Sequence, residues 1–163
     1  MPNILFVCTG NTCRSVMAEA LLRHYWEQEG DGRELEISSA GLAAIPGDQA
    51  SEHVHTLLSE EGVDVSAHEA ALLDDALVEK AELILVMTAG HKEALLARFP
   101  QARAKTYLLK EYAGINASNL DIADPFGCSL VKYRHTLEEI RESIAKLMNR
   151  LKGGGVDEGR SGQ

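Results

Sequence analysis

The sequence predicts a single α/β domain of three layers, with about four mainly parallel strands and helices on both faces of the sheet. Three observations carry the prediction. Short apolar runs alternate with helical patterns along the chain, the order expected of strands joined by crossover helices. The clearest runs, Ile4-Leu5-Phe6-Val7 and Leu83-Ile84-Leu85-Val86-Met87, have no polar interruption, as strands covered on both faces require. The length, 163 residues, suits one domain with a full core and is too short for two ordinary ones.

The first strand spans about residues 3–7. The helix after it begins at Val16 or Met17 and turns Met17, Ala20, Leu21 and Tyr25 inward. A second strand, at about 35–38, runs into Ser39-Ala40-Gly41. Pro46-Gly47-Asp48 then leads to a helix with Val54, Leu57 and Leu58 inward, stopped by Gly62. Asp74-Asp75 opens a further helix. The third strand covers about 83–87, Thr88 caps the helix that follows, and the last strand lies at about 105–109. The final helix, about 129–152, repeats Leu130, Tyr133, Leu137, Ile140, Ile144, Leu147 and Leu151 at alternating steps of three and four. Residues 1–152 form the domain, and Gly153-Gly154-Gly155 opens a polar, disordered tail to Gln163.

Composition narrows the function classes. The chain is 45% hydrophobic and 25% charged, as soluble globular proteins are. With 16 basic against 25 acidic residues and a net charge of −9, it has no surplus of cations for a nucleic-acid partner. No apolar stretch approaches a membrane span, and the start M-P-N-I-L-F-V-C lacks the basic region and cleavage site of a secretory signal. A cytoplasmic address and a monomer are expected. Three cysteines make no disulfide framework, and reducing conditions would keep them as thiols.

Residues 8–15, C-T-G-N-T-C-R-S, carry the chemistry. They join the first strand to the first helix, and Cys8 and Arg14 stand six positions apart. Backbone N–H groups of such a loop (Thr9, Gly10, Asn11, Thr12, Cys13), with those of the first helical turn at Ser15, converge on an anion. Arg14 adds a planar two-pronged grip on phosphate oxygens. Cys8, in that positive field, is favoured as the thiolate, the form that attacks phosphorus. Gly10 and Asn11 supply tight backbone geometry. In an open parallel sheet this loop lies beyond the carboxyl ends of the strands, where ligands bind.

A cysteinyl-phosphate intermediate needs a proton donor for the leaving group and then a base for water. The candidate is Asp124, in D-I-A-D-P-F-G at residues 121–127. Pro125 restricts Asp124 to extended backbone and so aims its carboxylate. Phe126 forms one wall of the substrate slot.

C-T-G-N-T-C-R-S near the start, S-A-G at 39–41 and D-P-F-G before the last helix resemble the low-molecular-weight protein-tyrosine phosphatase family over about residues 2–150. The resemblance implies a small, mainly parallel four-stranded sheet flanked by helices, and no metal or other cofactor. It implies Cys8 as nucleophile, Arg14 as phosphate and transition-state anchor, and Asp124 as general acid and base. Ser15 would hydrogen-bond the Cys8 sulfur, and Asn11 would hold the loop shape through Ser39. Val16 departs from the proline usual just after R-S, which predicts some loss of loop rigidity and none of chemistry.

Within that family the chain is similar to the bacterial protein-arginine phosphatases. Thr12 replaces a bulky aliphatic residue, Gly127 replaces a second aromatic residue after D-P, Met87-Thr88 replaces M-D, and L-K-E-Y at 109–112 fits the same branch. A phosphotyrosine ring wants a flat slot with apolar walls. A phosphoguanidinium offers N–H donors, which the Thr12 hydroxyl and the Asp124 carboxylate can accept. Phosphoarginine in proteins is the expected substrate, and phosphotyrosine the alternative.

The rival readings are weaker. An arsenate reductase needs paired resolving thiols downstream, where Cys128 stands alone. A redox or phosphate sensor would use Cys13 as a disulfide partner of Cys8, although a buried thiol lining the loop explains Cys13 equally well. Six histidines suggest no metal site: His53 and His55 share no helix face, and His24, His68, His91 and His135 are scattered in solvated or capping roles. Asp121 and Asp124 lack a third ligand for a cation. Trp26 and Tyr112 are packing residues, with Tyr112 a candidate for the edge of the cleft.

Overall fold

Among the described residues four strands and six α-helices follow one another broadly as the apolar pattern requires. The computed structural model describes residues 2–154. In chain order these are β1 (Asn3–Cys8), α1 (Arg14–Glu29), β2 (Glu36–Gly41), α2 (Glu52–Ser59), α3 (Asp75–Lys80), β3 (Leu83–Val86), α4 (Ala89–Arg98), a 3-10 turn (Pro100–Lys105), β4 (Thr106–Leu108), α5 (Leu109–Ala113) and α6 (Leu130–Gly154). The sheet order is β2-β1-β3-β4, and every pairing is parallel.

Strand side chains point alternately to the two faces, so β1 feeds two cores. Ile4, Phe6 and Cys8 enter one with α1, α2, α5 and α6; Leu5 and Val7 enter the other with Val78 of α3, Leu95 of α4 and Ala102 of the 3-10 turn. This is the predicted three-layer arrangement. Tyr133, Leu137, Ile140, Ile144, Leu147 and Leu151 of α6 are all buried against the first face. Removing any one of the leucines or isoleucines would cost about 2–5 kcal/mol.

Local chemistry sets the element ends. Asp74 accepts from Leu77 N at 2.9 Å, and Thr88 accepts from His91 N at 3.0 Å, so both predicted caps form. Gly62, beyond the end of α2, has φ of 77°, which favours glycine. Helix α1 starts at Arg14, two residues before the predicted onset, because the phosphate loop runs straight into its first turn: Met17 N donates to Cys13 O at 2.9 Å. Pro100 opens the 3-10 turn, which shortens the last strand to three residues. Leu109, read as strand, instead begins α5. Tyr112 of α5 is 2% exposed with the Arg150 guanidinium 3.9 Å from its ring centre, so it belongs to the core and not to the cleft edge. Helix α6 runs through Gly154, past the predicted start of the tail; residues 155–163 lie outside the described residues.

Candidate active site

Cys8 is the last residue of β1 and pairs with Gly41, the last of β2. The loop that leaves Cys8 crosses directly over Gly41. A side chain there would place a Cβ 2.5 Å from Thr9 O and 3.0 Å from Asn11 N, so only glycine admits the crossing. Leu42 N donates to Cys8 O and Ala43 N to Thr9 O, each at 2.9 Å, which ties the loop to the segment after β2.

Asn11 organises the loop from beneath. It is fully buried, with φ of 56°, a left-handed conformation that asparagine tolerates better than most residues. Its side-chain amide donates to Ser15 Oγ at 2.8 Å and to Ser39 Oγ at 2.9 Å, and its Oδ1 accepts from Ala71 N at 2.9 Å. Its carbonyl accepts from His68 Nε2 at 2.8 Å, so His68 is a loop anchor, against the solvated or capping role expected for it. Ser39 in turn donates to Glu19. Because Ser15 Oγ accepts from Asn11, its own proton is free for Cys8 Sγ, 2.9 Å away. A hydroxyl aimed at the sulfur holds it in place.

The thiol of Cys8 is 3% exposed, yet it forms part of the floor of a cleft of about 260 Å³. Thr9, Gly10, Thr12, Cys13 and Arg14 complete that floor, and Ile45, Asp48, Asp124 and Phe126 form its rim. Ile45 is 66% and Phe126 72% exposed, two apolar walls open to a substrate. Asn11 and Ser15 are buried below, with side chains that serve the loop and do not line the cleft. A larger hollow of about 490 Å³ lies between α1, β2 and residues 62–69; it contains neither Cys8 nor Arg14 and meets the site only through Glu19, Ser39 and His68.

Arg14 and Asp124 meet across the cleft. The Arg14 guanidinium is buried; one nitrogen donates to Ile122 O at 2.9 Å and the other lies 3.5 Å from Asp124 Oδ2. Asp124 keeps its other oxygen on Phe126 N at 3.0 Å, an Asx turn that fixes the carboxylate. Its segment is tied down on the far side as well. Ile122 N donates to Met87 O at 2.9 Å, and Asp121 Oδ1 accepts from Ala89 N at 2.8 Å, at the start of α4. Asp121 therefore acts as a tether to α4.

Cys13 is buried, its sulfur 3.5 Å from the Tyr133 hydroxyl and 3.7 Å from Thr12 Oγ1. Burial, with the Cys13 contact second, pushes the Tyr133 phenol up to about 12. All three cysteines are free thiols. Among the described residues no three His, Cys, Asp or Glu side chains are grouped to hold a metal.

Besides His68 and Ile45, His91 and Asp48 reach the site although the sequence pattern does not mark them. His91, read as solvated or capping, is 8% exposed and its Nε2 lies 2.9 Å from Thr9 Oγ1. Burial pulls its pKa down to about 4, helped by Arg14 and partly opposed by Asp124 and Asp121. The available signal was position: three residues past the Thr88 cap, a helical side chain turns back toward the strand end. Asp48 reaches the rim because Gly47 N and Asp48 O both pair with Ala70, at 2.9 and 2.8 Å.

A strand-end loop with a cysteine on its floor, a buried arginine and an opposed carboxylate defines a cysteine-based phosphoryl-transfer site. Residues 3–155 match the family described as low molecular weight phosphotyrosine protein phosphatase, and the chain belongs to it. The protein-arginine-phosphatase of Geobacillus stearothermophilus is 41% identical over 148 residues, 91% of this chain and 95% of that one. A probable low molecular weight protein-tyrosine-phosphatase, EpsP of Ralstonia nicotianae, is 35% identical over 149 residues, with the same shares of 91% and 95%. Among solved structures, a YwlE arginine phosphatase mutant with a phosphorylated active-site serine superposes with a TM-score of 0.87 at 39% identity, covering 93% of this chain and 97% of its own.

Proposed function

We propose that this chain is a metal-independent protein phosphatase that hydrolyses phosphoarginine through a cysteinyl-phosphate intermediate. The observation that carries the reading is the cleft itself: the Cys8 sulfur on the floor with two groups beside it, the Thr12 hydroxyl and the Asp124 carboxylate, that can accept from a guanidinium. The phosphoryl oxygens are held by the N–H groups of residues 9–15 and by Arg14. Cys8 Sγ attacks phosphorus and the P–N bond breaks. Asp124, entering this step as the carboxylic acid with its carbonyl oxygen accepting from the guanidinium, gives its proton to the departing guanidine nitrogen and becomes the carboxylate. Asp124 then takes a proton from water as the water oxygen bonds to phosphorus and the S–P bond breaks. Inorganic phosphate leaves, and Cys8 returns as the thiolate held by Ser15.

The second reading, phosphotyrosine hydrolysis, is favoured by the two apolar walls Ile45 and Phe126, between which a ring could lie. The substrates are phosphorylated proteins, and the chain acts on them as a cytoplasmic monomer. Among the described residues no helix is long and apolar enough to cross a membrane. The deciding experiment measures kcat/KM on phosphoarginine and phosphotyrosine peptides for the wild type and Thr12→Ile, with Cys8→Ser as blank. Wild type should prefer phosphoarginine, and Thr12→Ile should lose about tenfold or more of that turnover, since a buried donor left unpaired is costly. A wild-type preference for phosphotyrosine would reject the assignment.

A further inference from the structure

His91 is a buried imidazole with no part in the steps above. Its Nε2 lies 2.9 Å from Thr9 Oγ1, and among the described residues its Nδ1 has no hydrogen-bond partner. Those two facts fix the tautomer. A bare ring lone pair in a buried site is tolerated more easily than an orphaned N–H, so the proton sits on Nε2 and is donated to Thr9. Thr9 Oγ1 is then an acceptor toward His91, and its own O–H is left to point elsewhere. Thr9 is exposed, lines the cleft beside Cys8, and has its carbonyl pinned by Ala43 N at 2.9 Å. Because Thr9 lines the same cleft as Cys8 and Arg14, that proton can turn into the space that a bound phosphoryl group fills.

We propose that His91 is a positioning residue that orients the Thr9 hydroxyl as an additional side-chain donor to a non-bridging phosphoryl oxygen. The imidazole lies within electrostatic reach of the Arg14 guanidinium and of the Asp121 and Asp124 carboxylates. A neutral ring is what this arrangement needs: an imidazolium would add a buried charge next to Arg14. The inference rests on the phosphoryl-transfer reading of the Cys8 loop, and it names a group that strengthens that loop's hold on its anion.

The test is a double-mutant cycle of Thr9→Val, His91→Leu and the pair. It is read as kcat/KM on phosphoarginine and as the inhibition or binding constant of orthovanadate, a phosphoryl-transfer analogue. Each single change should weaken both by about tenfold, the usual loss of one hydrogen bond to a charged group, and the pair should lose no more than the worse single. His91→Gln, which keeps an N–H near the Nε2 position, should recover most of the loss. Ring 15N shifts of the wild type should report the Nε2–H tautomer, a signature that a merely structural role does not demand.

Multiplying losses, a silent Thr9→Val or an Nδ1–H tautomer would each overturn the proposal. Thr9 lies at the surface, so Thr9→Val remains informative even if His91→Leu does not fold. Failure of the phosphatase reading is separately visible: a wild type that binds vanadate but hydrolyses no phosphoarginine or phosphotyrosine removes that reading while the vanadate cycle still tests this one.

Discussion

His91 gives the fold an acid sensitivity whose size can be worked out. In an unfolded chain an imidazole takes up its proton near ~6.5. In the native protein burial, reinforced by Arg14, holds that step down to about 4. Above both values neither state is protonated at this residue, and it contributes nothing to the pH dependence. As pH falls from 6.5 toward 4, the unfolded state binds the proton and the folded state does not, so stability declines. At 1.36 kcal/mol per unit, the loss is about 2 kcal/mol at pH 5 and about 3 kcal/mol near pH 4, below which it stops growing. Urea unfolding of the wild type and His91→Gln at pH 7.5 and pH 5 isolates the residue, because acid titration of the carboxylates is common to both. The wild type should lose about 2 kcal/mol more than the variant on acidification, equivalent to roughly 4–8 °C in Tm for a domain of this size. Equal losses in the two proteins would refute the argument that the imidazole is held neutral.

Three further outcomes follow from named contacts. Asp121→Ala removes the acceptor at Ala89 N and should cost about 1 kcal/mol of stability, with kcat falling more than KM changes as the Asp124 segment loosens; Asp121→Asn should restore both, and steady-state kinetics with thermal melts checks it. Gly41→Ala forces a Cβ against Thr9 O and should leave a folded protein that binds vanadate at least about tenfold more weakly, by isothermal titration. Asp48→Lys places a cation on the rim where the guanidinium must enter, and kcat/KM on phosphoarginine should fall about 3- to 10-fold while a phosphate ester with an uncharged aryl group is spared, the difference shrinking at high salt.

The features legible in the sequence are those written in neighbouring residues. Unbroken apolar runs gave β1 and β3, the alternating steps of three and four gave α6, and C-T-G-N-T-C-R-S gave the loop that brings Cys8 and Arg14 to one cleft. The Asp-Pro pair also picked out Asp124, whose carboxylate lies 3.5 Å from the Arg14 guanidinium. What stayed hidden depends on contacts across the chain. His91 meets Thr9 over 82 positions, His68 meets Asn11 over 57, and Asp48 is carried to the rim by its pairing with Ala70. A histidine in an irregular or helical stretch has no local pattern that distinguishes a loop anchor from a solvated side chain. The five residues of α5 are too few for periodicity to register, and the 3-10 turn borrows its ending from β4.

The crossing at Gly41 separates the two jobs of the cleft. Everything that makes the sulfur reactive is fastened to β1, β2 and the first turn of α1, where one added methyl group would collide with backbone. Much of what judges the molecule attached to the phosphate, Ile45, Asp48 and Phe126, comes from irregular surface segments, with Thr12 on the loop itself as the inner check. Substitutions in those segments can exchange one clientele for another while the reactive centre stays as it is. A single scaffold can thus serve chemically different phosphorylated residues, with the choice written on Thr12 and on the side chains of its rim.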